Sequence, residues 1–239
     1  SSLEDIYLPY KPKRRTRALI AREKGLQPLA DYLLEQKLGD VDSFAAQFLN
    51  EGLAVNNLEE AFSGARDIIA ETIAEDAEVR AQLRKVFLDK GNFVSRVVPG
   101  KEEQAQKYKD YFEWSESLDK APSHRVLAMR RGEKEELLYL DIEVDEDFAI
   151  PKIESIYIKG KNEASKQVEL ALYDGYKRLL KPSMETEIRV LTRQRADEEA
   201  IKVFADNVRQ LLLGAPLGQK RLLAIDPGFR TGCKTVVLD

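Results

Sequence analysis

The sequence predicts a mainly α-helical fold, in which a multi-helical region carries a small β element and ends in a truncated β-hairpin. Between Leu58 and Asp89, apolar residues recur at steps of three and four, which is the period of an amphipathic helix. Between Leu137 and Val144, apolar and polar residues alternate, which is the period of a half-buried strand. Charged residues make up 33% of the 239 positions, which suits helices with solvated faces.

Three short helices are predicted near the N-terminus. The first spans residues 16–24 and the second spans residues 26–38, and each of them stops at a glycine. The third spans residues 41–50, with Asp40 or Asp42 as its N-cap. Short helices separated by glycine predict a compact cluster.

The middle of the chain combines one long helix with shorter elements. The apolar period predicts a single helix over residues 58–89, followed by a short β-branched segment at 93–98. Further helices are predicted over 102–112 and 123–129, the second of them with Ser123 as its N-cap.

A small sheet and two further helices are predicted next. The strand at 137–144 is expected to pair with residues 156–158. A helix over 161–180 is expected to end at the following proline, and a new helix at 183–213 begins with a capping serine. Because the arginines at 193–195 interrupt its apolar stripe, this last segment is open to interpretation as two helices.

The C-terminal residues change in character. Glycine and proline at 214–220 indicate a linker. Two short apolar runs, 221–225 and 235–238, are expected to pair as strands, with a type II turn at Asp226-Pro227-Gly228 between them. Because two strands alone do not form a stable sheet, the natural protein is expected to continue beyond Asp239.

This pattern predicts a division into two parts. The first is a helical region over residues 1–213, with sub-parts at about 1–57 and 58–213. After the linker at 214–220, the second is an incomplete hairpin domain over 221–239. The helical region is therefore expected to supply most of the buried core.

Charge is concentrated at one place. The net charge of −4 argues against a uniformly basic nucleic-acid-binding domain, so a basic footprint must be local. One short stretch supplies such a footprint with Lys11, Lys13, Arg14, Arg15 and Arg17. These side chains are candidates for phosphate contact, and the neighbouring Tyr7 and Tyr10 are candidates for base stacking, although such tyrosines are more often core residues. The alternative is a solvated helix entry, or salt bridges within the protein.

Weaker basic groupings occur later in the chain. They are expected to be solvated helix faces, and they comprise Arg125, Arg130, Arg131, Arg189, Arg193 and Arg195.

Composition excludes several classes of site. No run of eighteen apolar residues or basic leader is present, which predicts neither a membrane span nor a signal peptide. The single cysteine, Cys233, excludes an internal disulfide, suits a reducing cytosol and is expected to be a small buried thiol. The single histidine, His124, excludes a multi-histidine metal site and is expected to be exposed in the first turn of a helix. No cofactor is therefore predicted.

Segments along the whole chain resemble the Tex family of bacterial transcription accessory proteins. The terminal ones are LEDIYLPYKPKRRTRALIAREKGLQPLA at 3–30 and RLLAIDPGFRTGCKTVVLD at 221–239. Between them, PSHRVLAMRRGE, YDGYKRLLKPSMETEIR and ADEEAIKVFADNVRQLLLGAPLG are also similar to that family and follow in the same order.

The resemblance implies an architecture and a function. Tex proteins have a helical N-terminal region, a YqgF domain with an RNase H-like fold, helix-hairpin-helix modules and a C-terminal oligonucleotide-binding-fold domain that binds RNA. This chain would hold most of the helical region and the first hairpin of the YqgF domain. The resemblance implies a cytoplasmic, non-enzymatic factor in transcription. Its partners would be RNA or DNA, bound mainly through modules absent from this chain, with RNA polymerase as a further candidate.

Asp226 defines an alternative of another class. In RNase H-like nucleases, a carboxylate at the end of the first strand binds a catalytic metal, and later strands supply the other ligands. The chain would then be a fragment of an RNase H-like or Holliday-junction-type nuclease. Asp226 is more simply explained as a turn residue, so no catalytic residue or metal ligand is predicted. A third alternative is a scaffold that binds only proteins.

Overall fold

The computed structural model describes residues 2–11, 14–228 and 232–239. Its contacts divide the chain into two compact units, Ser1–Asp197 and Glu198–Asp239. The described residues form ten α-helices and five strands, which confirms the mainly α class. The helices are α1 (Ser2–Tyr7), α2 (Arg17–Glu23), α3 (Gln27–Glu35), α4 (Val41–Ala46), α5 (Leu58–Glu75), α6 (Ala77–Lys90), α7 (Ser123–Lys134), α8 (Glu146–Tyr157), α9 (Glu163–Gly175) and α10 (Lys181–Leu213). The strands are β1 (Asn92–Val97), β2 (Glu113–Ser117), β3 (Leu138–Glu143), β4 (Leu222–Pro227) and β5 (Cys233–Leu238).

The three short N-terminal helices form as predicted, with shorter C-terminal ends. Thr16 caps α2 by accepting a hydrogen bond from the Leu19 amide at 3.0 Å. Of the two candidate caps for α4, Asp40 is the one used, at 3.1 Å from the Ser43 amide. The second helix ends at Glu35 because Gln36 takes a left-handed conformation, with φ 53°.

The predicted single helix over residues 58–89 is wrong, because the structure has two helices there. Asp76 separates α5 from α6 with an extended backbone, and its carboxylate accepts hydrogen bonds from the first amides of α6. Aspartate favours an N-cap over a helix interior, since its side chain competes for backbone amides. The apolar period continues across the break and conceals it.

The first unit has its core around α5, which packs against α2, α3 and α9. Ala65, Ile68, Ile69 and Ile73 on this helix are fully buried. At Gly175, the last residue of α9, a β-carbon would lie 3.1 Å from the Ala70 carbonyl oxygen. Glycine therefore allows α9 to lie unusually close to the backbone of α5.

A three-stranded antiparallel sheet lies in the same unit, with β1 between β2 and β3. The predicted strand at 137–144 is confirmed, since β3 buries alternate residues. Its predicted partner at 156–158 is wrong, because most of that segment belongs to α8, where Ile150 and Ile153 are buried at helical spacing. The predicted helix at 102–112 is also wrong, and only a 3₁₀ segment, Gln106–Tyr111, forms there.

The predicted helix break at Pro182 does not occur. A π-helical turn, Tyr176–Leu180, joins α9 to α10, and Pro182 lies in the first turn of α10. Lys181 donates its amide hydrogen to the Tyr176 carbonyl, five positions back, so the backbone stays helical up to Pro182. Ser183 consequently lies inside the helix and is not a cap. The arginines at 193–195 do not divide α10 either. At α7, Pro122 takes the N-cap position predicted for Ser123.

The second unit contains the last part of α10 and the predicted hairpin, which is confirmed. Strands β4 and β5 pair antiparallel, with Leu222 opposite Leu238 and Asp226 opposite Lys234. The predicted turn at Asp226-Pro227-Gly228 is wrong, because both Asp226 and Pro227 belong to β4. The connection lies in residues 228–232, and 229–231 fall outside the described residues. Residues 214–221 have no helix or strand, and the predicted domain boundaries remain predictions.

Candidate nucleic-acid interface

The predicted basic segment lies between α1 and α2. Lys11 follows a 3₁₀ turn, Arg14 and Arg15 precede α2, and Arg17 is its first residue. All four residues are exposed. The fifth predicted residue, Lys13, lies outside the described part of the chain. The segment thus meets the first condition for phosphate contact, which is access from solvent.

Buried charges hold the N-terminal side of this segment. Asp5 on α1 is only 4% exposed and accepts hydrogen bonds from Arg80 at 2.8 Å and Arg84 at 2.7 Å. Both arginines also bind Glu187 on α10. Burial by itself raises the pKa of Asp5, but the hydrogen bonds from the two arginines outweigh it and hold that pKa below its usual value. Two positive charges paired with two negative ones therefore fix α1 to α6 and α10.

The other side is held by α2. Ala18 and Ala21 are buried in the core, and α2 packs against α5. Arg22 binds Glu71 on α5 at 2.7 Å and Gln27 at 2.9 Å. The basic segment therefore connects two helices that are each fixed to the first unit.

The four described cations of the basic segment differ in their partners. Arg15 binds Glu23 at 2.9 Å, but the side chains are 69% and 51% exposed, so the pair is weak. Arg17 lies beside Asp67: burial raises the pKa of that carboxyl, while Arg178 and Arg17 oppose the rise. Lys11 and Arg14 form no ion pair with any residue that the structure describes. Phosphate contact by this segment stays a prediction.

The two tyrosines beside the segment are not core residues. Tyr7 ends α1 and is 54% exposed, and Tyr10 is 79% exposed. The more common expectation for such tyrosines, burial with only the hydroxyl in water, is therefore wrong here. Their rings are available for contact from solvent.

Several arginines of the later basic groupings form contacts within the protein. The prediction that these groupings are solvated helix faces is wrong for them. Arg130 on α7 donates a hydrogen bond to the backbone carbonyl of Arg189 on α10. Arg189 binds Glu133, and Arg193 lies 3.4 Å from Asp197. Burial lowers the pKa of Arg130, and the nearby charge of Arg189 lowers it further. Arg130 and Arg189 thus join α7 to α10, while Arg193 pairs within α10, and Glu133 and Asp197 offset much of the charge.

Asp226 lies in the second unit and is exposed on β4, opposite Lys234. Across the described ranges, no group of three or more histidine, cysteine or acidic residues is arranged to hold a metal ion. Cys233 is exposed on β5, so the expectation of a buried thiol is wrong. His124 is exposed in the first turn of α7, as predicted.

The structure adds charged residues that sequence reasoning missed. Asp5, Arg80, Arg84 and Glu187 were not distinguished from ordinary solvated charges. The spacing of Arg80 and Arg84 was an available signal, because residues four apart share one helix face. Their partners come from distant positions and could not be found from that spacing.

Comparison with known proteins identifies the family. Residues 37–204, more than half of the chain, match the family model described as Tex central region-like. The chain belongs to the Tex family. It is 40% identical to Protein tex of Bordetella pertussis over 99% of this chain and 32% of that protein. Transcriptional accessory protein Tex of Neisseria gonorrhoeae is also 40% identical, over 100% of this chain and 32% of that protein.

A human relative is more distant. S1 RNA-binding domain-containing protein 1 of Homo sapiens is 28% identical over 99% of this chain and 25% of that protein. The chain spans about a third of the length of its bacterial Tex relatives. The predicted family is therefore confirmed. In the described residues of this Tex chain, no helix has both the length and the apolar character needed to cross a membrane.

Proposed function

We propose that this Tex chain is part of a factor that binds nucleic acid and acts in transcription. Within it, this part serves mainly as a helical scaffold with one phosphate-contacting segment, residues 11–17. The observation that carries the proposal is the exposure of Lys11 and Arg14, which have no described ion-pair partner between two fixed helices. The names of two relatives, a transcriptional accessory protein and an S1 RNA-binding domain-containing protein, support the same function.

The chemistry of the segment fits phosphate better than bases. Arginine can donate two parallel hydrogen bonds to a phosphate, and each neutralised phosphate releases counterions. Such contacts position a protein on nucleic acid without reading its sequence. Since α1 and α2 are each fixed to the first unit, the described residues beside them, Lys11 and Arg14, would lose little chain entropy on binding. Binding through it should therefore be independent of sequence and sensitive to salt.

The wider setting belongs to the same proposal. We propose RNA or DNA as the partner, bound mainly by modules outside this chain, with RNA polymerase as a further partner. A cytoplasmic location follows from that role and suits the single cysteine. The chain itself would be a binding factor and not an enzyme, and Asp226 would have no catalytic role in it.

The test is fluorescence anisotropy of the chain with labelled single-stranded RNA and duplex DNA across a salt series. The test variant combines Arg14→Ala with Arg17→Ala. The control combines Arg131→Ala with Arg209→Ala, which removes the same charge from exposed positions elsewhere. We expect binding that falls with salt and a test variant that weakens it about tenfold or more, at about 1–2 kcal/mol for each lost charged contact.

Two results would overturn the phosphate contact. One is the absence of binding by the unaltered chain at low salt. The other is an equal loss of affinity in the test and control variants, which would mean that affinity depends only on the net charge of the chain. Either result leaves the chain as a scaffold.

A further inference from the structure

A second cationic surface lies in the groove between α6 and α8. The groove has a volume of about 470 Å³. Its lining includes three lysines, Lys85, Lys90 and Lys152, together with Phe148 and one carboxylate, Asp89. None of the described residues of the basic segment lines this groove.

The charges of the groove favour an anionic occupant. Lys85, Lys90 and Lys152 are exposed and form no ion pair with any residue in the described ranges. Asp89 offsets one of the three positive charges and leaves an excess of two. This local excess is opposite in sign to the net charge of the whole chain, which is −4. Unpaired lysines on an acidic protein would attract a chain of negative charges.

Phe148 adds a second requirement for the occupant. Its side chain is 48% exposed on α8, next to the lysines. The Lys90 ammonium lies 5.7 Å from the centre of the ring, so cation and ring are adjacent. The nearly buried Val86 lines the same groove. An occupant that contacts both the lysines and the Phe148 ring must carry negative charge and a flat apolar face close together.

We infer that this groove binds a single strand of nucleic acid, with a base stacked on Phe148 and phosphates at Lys85 and Lys152. A nucleotide chain places one phosphate and one planar base in every repeat, which is the combination that these side chains accept. A duplex does not offer its bases in this way, because they are stacked on each other. The inference rests on the proposed function for the class of ligand, but it uses different residues.

The test is anisotropy with labelled oligouridylate and oligothymidylate of equal length, beside a duplex of mixed sequence. Phe148→Ala should weaken single-strand binding about fivefold or more, since one base–ring stack is lost, and should leave duplex binding unchanged. Phe148→Leu keeps apolar volume without a ring and should behave like Phe148→Ala. The double variant Lys85→Gln/Lys152→Gln should reduce the slope of log affinity against log salt by about 1.4, because two phosphate contacts are lost.

Matched controls use exposed residues on other elements. Tyr139→Ala removes an exposed ring on β3, and Lys109→Gln/Lys120→Gln removes two exposed lysines. Both should leave single-strand affinity within about twofold, since none of these three residues lines the groove and exposed charges are screened by salt. An equal effect of Tyr139→Ala and Phe148→Ala would overturn the inference. Full retention of single-strand affinity in both Phe148 variants would also overturn it, and so would equally tight, Phe148-dependent binding of a polyglutamate peptide.

The inference and the proposed function fail separately. Loss of binding in the Arg14/Arg17 variant with none in the Phe148 variants would reject the groove alone. Loss in the Phe148 variants with none in the Arg14/Arg17 variant would reject the N-terminal segment alone. Preference for oligouridylate over oligothymidylate, or the reverse, distinguishes RNA from DNA as the source of the strand.

Discussion

Tyr157 donates a hydrogen bond to the carboxylate of Asp76 at 2.7 Å, across 81 positions of sequence. The same carboxylate caps α6 through the amides of Glu78 and Val79. Burial raises the pKa of Tyr157, and the hydrogen bond to Asp76 raises it further, so the hydroxyl keeps its proton and donates it. One side chain thus starts a helix and binds the end of another.

Because Asp76 both caps α6 and binds Tyr157, two different substitutions at this position should lower stability by unequal amounts. Asp76→Ala removes the cap, worth about 1 kcal/mol, and a hydrogen bond to a charged group, worth about 1.5–3 kcal/mol. We expect the free energy of unfolding to fall by about 2–4 kcal/mol, measured by urea denaturation. Asp76→Asn keeps a capping oxygen and should cost less than half as much. Equal losses for the two variants would contradict the role of the cap.

The second prediction concerns acid and Asp5. Because the pKa of Asp5 is lowered in the folded state, its stabilisation is fully present above the unfolded value of about 3.9 and is lost as the pH falls through the lower folded value. Asp5→Asn should cost about 1–3 kcal/mol at pH 7 and flatten this acid dependence. The measurement is the urea midpoint against pH, with limited proteolysis of α1.

A matched control for Asp5 is Asp42→Asn, an exposed carboxyl in the first turn of α4. It should change the free energy of unfolding by about 0.5 kcal/mol or less. If both variants had the same pH dependence, the Asp5 network would not hold α1 in place.

The third prediction tests the close approach of α9 to α5. Gly175→Val places a branched side chain against the backbone of Ala70, where even one β-carbon is only 3.1 Å from the carbonyl oxygen. Overpacking of this kind costs about 1–3 kcal/mol. Gly160→Val, outside the helices, meets only the Ser165 hydroxyl and is the comparison. Thermal denaturation should show the larger loss at Gly175, and a reversed order would contradict the packing argument.

The fourth prediction concerns Glu23, which pairs with Arg15 on the surface. Glu23→Ala frees that arginine and should change the free energy of unfolding by less than about 1 kcal/mol. If Arg15 contacts phosphate, affinity for RNA at low salt should rise about two- to fivefold in anisotropy measurements. Glu163→Ala removes another exposed carboxylate, one that pairs with Lys166, and should leave affinity unchanged. An unchanged affinity in Glu23→Ala would remove Arg15 from the interface.

Local sequence signals predicted the elements that depend on neighbours along the chain. The alternation in β3 was found because burial of every second residue follows from one sheet face alone. The break at Asp76 was missed because the apolar period runs through it, and the signal lay in a single capping residue. Pro182 was misinterpreted because its effect depends on the turn before it, which is π-helical here.

The candidate interface shows the same limit. The charge density of residues 11–17 was visible in the sequence, since those cations are adjacent. The bond from Arg130 to the backbone of Arg189 was not, because 59 positions separate them and only tertiary packing brings them together. The lysines around Phe148 were missed for the same reason, as they come from two different helices.

The network around Asp5 also sets an order of assembly during synthesis. Arg84 lies 79 residues after Asp5, and Glu187 lies 103 residues after Arg84. A ribosome therefore releases α1 long before the last of its partners exists. Until α10 emerges, Arg80 and Arg84 can pair with Asp5 but not with Glu187, so the network that holds α1 is incomplete. Among the helices described, α1 is therefore translated first and is one of the last to gain all of its partners.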